Sequence, residues 1–243
     1  MTIMPSHHIV SSYDDELKYL TRKIAAMGGH AERMVDQAVS AIVRGDAELA
    51  RKIVSDDLFL DEAQRAIDER TISIIARRQP LASDLREVIG AIRIAADLER
   101  VGDLGKNVAK RAIAVRHGMD PTSPFRGLRA LADLALTQLK DVLDVYASRN
   151  VDRLSEMRDR DEQIDAMFTS VFRELLTYMM EDPRNIAPCT HLLFCAKNIE
   201  RIGDHATNIA EAIYYIVTGE QLPANRPKVD VSSEVVTRPP DKR

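Results

Sequence analysis

Apolar residues recur at intervals of three and four along almost the whole chain, the spacing of one face of an α-helix. The pattern predicts six long helices. The first runs roughly over residues 12–44 and is interrupted at Gly28-Gly29. The second begins after Gly45, with Asp46 placed to cap it, and fades near Arg78. In "RRQPLASDL", Pro80 stops the pattern and Ser83 is placed to cap the third helix, which reaches about Arg116. "HGMDPTSPF" reads as a linker. The last three helices cover roughly 125–148, 151–180 and 185–218, divided by Asn150 and by "EDPRN". From Gly219 onward the chain is Pro-rich and polar without a lasting period, which predicts a disordered tail over 219–243.

The third and sixth helices are near copies at an offset of 101 residues. The apolar stripe Ile94, Leu98, Val101, Gly105, Val108, Ala112, Val115 maps onto Cys195, Ile199, Ile202, Ala206, Ile209, Ile213, Ile216. Polar and small residues recur too: Glu99, Arg100, Gly102, Asp103, Asn107 and Ala109 return as Glu200, Arg201, Gly203, Asp204, Asn208 and Ala210. In the second and fifth helices, "DLFLD" (57–61) falls on "DEQID" (161–165) at an offset of 104. The chain is therefore an internal duplication of a three-helix unit. The expected fold is all-α, two tandem and similar three-helix bundles over 1–118 and 119–218, each packing its stripes inward.

The duplication draws attention to acids four residues apart: Asp57 with Asp61, Glu99 with Asp103, Asp161 with Asp165, and Glu200 with Asp204. Such pairs lie one above the other on a helix face. Like charges at that spacing destabilise a helix by roughly 0.2–0.5 kcal/mol. A cation shared by the side chains would turn the repulsion into a binding site. Two carboxylates from each of two neighbouring helices form a hard-oxygen donor set, suited to Mg, Mn, Fe or Ca, with Zn also able to accept carboxylates. The plainer alternative is a solvated outer face. Glu99 and Asp103 point away from the Leu98/Val101 stripe, and Arg100 and Arg201 stand three residues before Asp103 and Asp204. Gly102 and Gly203, each between two acids, imply the close approach of another helix, a metal-bound water or a partner; a tight helix crossing is the simplest of these.

Composition narrows the classes. Apolar residues make up 45 % and charged residues 30 %, with no Trp and only ten Gly and ten Pro, which favours helices. A net charge of −4 offers no broad basic field for nucleic acid. No apolar run approaches the ~20 residues of a membrane span, so direct membrane insertion is not expected. The first twenty residues lack a basic stretch followed by an apolar one, so no secretory signal is read. Cys189 and Cys195 are six apart, wrong for a C-x-x-C clip, and fit a reduced cytoplasmic protein; Cys195 lies on the apolar stripe as a small core residue. Phosphate-binding loops, a dinucleotide fingerprint, H-E-x-x-H and G-x-S-x-G are all missing. A carboxylate-bridged di-metal enzyme is the alternative reading, but no Glu has His three residues later. His205 follows Asp204, yet its counterpart is Leu104, so it reads as a helix-surface histidine. His30 and His191 are candidates for histidine phosphotransfer, and neither recurs in the other half.

Together, "SSYDDELKYLTRKIAAMGGHAERMV", the two "ERxGD" helices and the D-x-x-x-D segments before them resemble the PhoU family of bacterial phosphate-signalling regulators, over about residues 9–218. The resemblance implies a cytoplasmic, non-enzymatic protein, commonly a homodimer, that negatively regulates the phosphate-starvation response. Its implied partners are the ATPase subunit of a phosphate ABC transporter and a sensor histidine kinase. It also implies metal ions at the paired acids, iron, zinc, manganese or magnesium. Carried over by position, the ligands would be Asp57, Asp61, Glu99 and Asp103 in the first half, and Asp161, Asp165, Glu200 and Asp204 in the second.

Overall fold

In a computed structural model that describes residues 6–115 and 124–222, the chain is helical throughout, with no strand among the described residues. The helices are α1 (Ser6–Arg44), α2 (Ala47–Asp56), α3 (Leu58–Arg78), α4 (Ala82–Ala114), α5 (Pro124–Ser148), α6 (Met157–Glu181) and α7 (Ile186–Thr218). Short 3-10 turns at Val151–Glu156 and Pro183–Asn185 lead into α6 and α7. The expected boundary at 118/119 and the expected tail beyond residue 222 lie outside the described residues.

Several helix ends are set as the sequence predicts. Gly45 takes φ +66°, a conformation open to glycine, and turns the chain out of α1. Asp46 then caps α2, its carboxylate accepting from the backbone N–H groups of Glu48 and Leu49 at 3.1 and 2.9 Å. At the other end of the unit, Pro80 disfavours a right-handed helical conformation in the residue before it, and Gln79 closes α3 at φ 48°.

Three expectations need correction. Ser83 does not cap α4; the helix starts one residue earlier, at Ala82, and the Ser83 hydroxyl faces the Asp84 carboxylate. Gly28-Gly29 does not interrupt α1. Gly28 is a contact point, where a Cβ would lie 2.5 Å from Cδ2 of Leu143 on α5. The second predicted helix is two helices, with α2 and α3 meeting at Asp57, and the corresponding stretch of the second half is the turn Val151–Glu156 running into α6.

The halves pack as the duplication requires. α1, α3 and α4 pack together, with α2 against α1 and α4; α5, α6 and α7 pack together in the second half. The repeated stripe is buried from Ile94 to Ala112 and from Cys195 to Ile216. Both cysteines are buried, and burial pushes the Cys195 thiol up to about 12. Within the first half, the buried carboxylate of Glu16 ties α1 to α3 through Arg70, Arg77 and Arg78, at 3.6, 3.3 and 3.2 Å.

The halves then join along α4 and α7, with α1 against α5, to make one continuous core. α4 and α7 run antiparallel: Gly90 lies against Ile216, Asp97 against His205 and Asn208, and Arg111 against His191.

Candidate functional site: two acid-lined helix crossings

Each half brings its two acid motifs together where two helices cross. Leu60, between Phe59 and Asp61 on α3, sits over Gly102, between Val101 and Asp103 on α4. A Cβ at Gly102 would overlap Cδ1 of Leu60. In the second half Ile164 on α6 sits over Gly203 on α7, where a Cβ would lie 2.9 Å from Cδ1 of Ile164. The recurrent glycine is thus the footprint of a close helix crossing. By letting the backbones approach, it also gathers the flanking acids of both helices.

At the first crossing, burial raises the Glu99 carboxyl above the usual carboxylate range. Asp103 adds to the shift, Arg100 opposes it, and Asp61 and Asp57 raise it further. Asp57 is buried, with 8 % of its surface exposed. A cation from the chain itself stands among them. Lys106, one turn beyond Asp103, donates from Nζ to Asp57 and to Asp103, the latter at 2.5 Å. Burial works against its charge, but the hydrogen bonds it donates to Asp103 and Asp57 outweigh that and hold the ammonium above its ordinary pKa. Arg100, more exposed, reaches Glu99 at 3.5 Å and Asp103 at 3.4 Å.

The second crossing has the same acids with different neighbours. Burial again leads the upward shift of Glu200; Lys197 opposes it, and Asp204 and Asp165 contribute to it. Glu200 is 9 % exposed. Its Oε1 accepts from Lys197 Nζ at 2.8 Å, while Oε2 is buried without a hydrogen-bond partner. Asp161 accepts from the Thr207 hydroxyl at 3.1 Å, and Thr207 in turn accepts from Nε2 of the fully buried Gln138 at 2.9 Å. Counting by the repeat, Thr207 occupies the place of Lys106.

The acids are therefore neither fully solvated nor a tight chelate. Among the described residues, no group of three His, Cys, Asp or Glu side chains stands ready to hold a metal ion. The histidines belong elsewhere. His205, expected on the helix surface, lies in the seam between halves, its Nδ1 2.8 Å from Oδ1 of Asp97 on α4; Asn208 donates to the same oxygen at 3.4 Å. His191 meets Arg111 at 3.5 Å, and the His30 ring stacks on Phe59 with centroids 4.4 Å apart. Lys106, Gln138, Thr207 and Asp97 were not singled out from the sequence. Only Lys106 left a signal there, as a base three residues after Asp103.

Fold and site define a duplicated helical-bundle protein with one acid-lined crossing per half. The PhoU domain profile matches residues 24–112 and 128–213, one copy in each half, and the chain belongs to the PhoU family. It is 65 % identical over 230 residues to a phosphate-specific transport system accessory protein PhoU homolog of Rhizobium meliloti, covering 95 % of this chain and 97 % of that one. A Caulobacter vibrioides protein of the same description is 47 % identical, with 94 % and 100 % covered. Among solved structures, PhoU from Pseudomonas aeruginosa superposes with a TM-score of 0.81 at 36 % identity, covering 86 % of this chain and 100 % of that one. The phosphate transport system regulatory protein PhoU from Streptococcus pneumoniae gives 0.79 at 27 % identity, covering 87 % and 99 %. No described helix is long and apolar enough to cross a membrane.

Proposed function

We propose that this protein is a non-enzymatic, cytoplasmic accessory regulator of phosphate transport. It couples the ATPase subunit of a phosphate ABC transporter to a sensor histidine kinase and restrains the phosphate-starvation response when phosphate is plentiful. The observation that carries this reading is the 65 % identity, over nearly the full length of both chains, to a phosphate-specific transport system accessory protein. The architecture suits an adaptor. Its long helices keep large apolar side chains at the exterior, Leu58, Ile72, Leu85 and Met180 among them, which supply contact surface for partners or a second copy. An adaptor shifts its partners only by binding one of their states more tightly than another.

The reading includes metal at the acid-lined crossings. At the second, Asp161, Asp165, Glu200 and Asp204 would supply hard oxygen donors from two helices once drawn together, and the buried Oε2 of Glu200 is without a hydrogen-bond partner. A bound ion would supply positive charge that ties α6 to α7 and relieves the mutual repulsion of these acids. The corresponding ligands of the first crossing are Asp57, Asp61, Glu99 and Asp103. A di-metal oxidative enzyme is not favoured, because no Glu-x-x-His pair faces these acids.

Affinity capture from cells grown at high and at low phosphate tests the regulatory role. The expected result is recovery of the transporter ATPase subunit and the kinase, in amounts that change with phosphate. Recovery of neither, under either condition, overturns it.

A further inference from the structure

We infer that the open side of the α4–α7 seam is the face that docks the partner protein, and that this partner presents acidic side chains on both sides of a two-fold axis. This rests on the adaptor reading proposed above and names the surface that serves it.

The repeat supplies the geometry. α4 and α7 are near copies that run antiparallel, so a half-turn about an axis normal to both exchanges them. The contacts Gly90–Ile216, Asp97–His205 and Arg111–His191 bracket the point where each helix meets its own copy, beside Gly102 and Gly203. On one side of the seam α1 packs on α4 and α5 packs on α7. On the other side each helix keeps an exposed ridge at seven-residue spacing, Arg93, Arg100 and Asn107 on α4 and Phe194, Arg201 and Asn208 on α7. The axis therefore leaves the protein between Arg100 and Arg201, which are the same residue of the repeat.

This double ridge is basic, on a chain whose net charge is −4. Arg93 and Arg201 enter no ion pair among the described residues. The Arg100 side chain is 62 % exposed and meets Glu99 and Asp103 only at 3.5 and 3.4 Å. Arg111 lies over the ring of Phe194, 4.1 Å from its centroid, and Phe194 is itself half exposed. Arginine and aromatic side chains are the ones that protein interfaces favour. Asp97, the acid between the two helices, is already taken up by His205 and Asn208. Guanidinium groups open to water recognise carboxylates in pairs of parallel hydrogen bonds. The acid-lined crossings stand on either side of the ridge, so they repel a partner's acids and steer them onto the arginines. A second copy of this chain on the same axis would set arginine against arginine, which favours a different protein. A dimer with acids astride its own axis meets Arg100 and Arg201 in the same way.

The test measures binding of the full chain to the purified transporter ATPase subunit and to the purified sensor kinase, by biolayer interferometry at low and at physiological salt. Wild-type protein is expected to bind one of them, more weakly as salt rises. Arg100→Glu and Arg201→Glu should each lower affinity about tenfold, and together about a hundredfold. Arg100→Gln/Arg201→Gln, which adds no acid beside Glu99 and Asp103, should lose about tenfold and flatten the salt dependence. Arg51→Glu/Arg173→Glu changes exposed residues of α2 and α6 with the same effect on net charge as the double glutamate variant, and should bind within about twofold of wild type. Circular dichroism checks the helix content of each variant. Equal affinity in the seam and control variants overturns the docking face and leaves the adaptor reading standing. A loss confined to one of the two arginines overturns the two-fold partner. Loss of self-association in the seam variants, with partner binding unchanged, gives the face to a second copy and also overturns the inference. Wild-type protein that binds neither partner overturns the adaptor reading and this inference with it.

Discussion

Leu60 on α3 lies directly against Gly102 on α4, so that a single methyl group added at Gly102 would occupy the space of Cδ1 of Leu60. Because Gly102 is flanked by Glu99 and Asp103, and Leu60 by Asp57 and Asp61, the closeness of this one contact sets the spacing of the acids around it. Alanine at Gly102 gains about 1 kcal/mol in helix propensity. It also over-packs a core whose Leu60 is fully buried, at a cost of typically 1–3 kcal/mol. Gly102→Ala should lower stability by about 1 kcal/mol net, measured by urea unfolding. Adding Leu60→Val removes the opposing Cδ1 and should make the double variant more stable than the sum of the single changes. Additive effects would show that the contact is not what the glycine serves. Gly203→Ala should be milder, since Ile164 stands farther off.

The Lys106 ammonium is what keeps Asp57 in place at 8 % exposure. Lys106→Met removes the charge and leaves a buried carboxylate without its cation, the costly half of breaking an ion pair. Because the lysine is partly open to water, the expected loss is about 2 kcal/mol, below the fully buried range. Asp57→Asn in the same background should restore most of it, since the stranded charge is then gone. An equal loss in single and double variants would assign the effect to packing of the lysine stem instead.

These two crossings show how far one sequence can be read. The stripe from Ile94 to Ala112, its copy from Cys195 to Ile216, the cap at Asp46 and the four acid pairs are legible because each is a local periodicity or a local repeat. The Lys106–Asp57 bridge spans 49 residues and the Gln138–Thr207 bond spans 69, so neither exists until the helices have crossed. Gly28 shows the same limit from the other side. Its sequence context reads as a break in a helix, whereas its use is to admit Leu143 from a helix more than a hundred residues away. The antiparallel seam of α4 and α7 was hidden for a similar reason, since each helix carries its second buried face in small residues such as Ala91, Ala95 and Ala196, which carry little periodic signal.

That seam is held in part by Asp97, which accepts from both His205 and Asn208. The bond to His205 crosses between the halves, and neither residue has a like counterpart in the repeat, so removing it should loosen one side only. A double-mutant cycle with Asp97→Ala and His205→Ala should return a coupling on the order of 1 kcal/mol. Hydrogen exchange should speed up in the middle of α4 and α7 in either single variant, with α3 and α6 unchanged. A coupling near zero would mean that apolar packing alone joins the halves there.

Tyr146, near the end of α5, connects burial to alkaline stability. Burial, and after it the Glu87 carboxylate, push its phenol up to about 12, while the Arg149 guanidinium over its ring pulls the other way. In the unfolded chain the phenol ionises near its ordinary value of 10.0. Between those two values the folded protein keeps a proton that the unfolded chain has lost, so stability must fall as pH rises. The contribution is intact below pH 10 and declines through that window, and the loss reaches about 3 kcal/mol at its upper end for a shift of this size. Tyr146→Phe has no proton to lose there. Tyr13, also raised to about 12, is common to both proteins and cancels in their difference. Urea unfolding at a series of pH values should therefore show the phenylalanine variant gaining on wild type steadily above pH 10. Parallel curves for the two proteins would mean that Tyr146 ionises in the folded state as readily as in water.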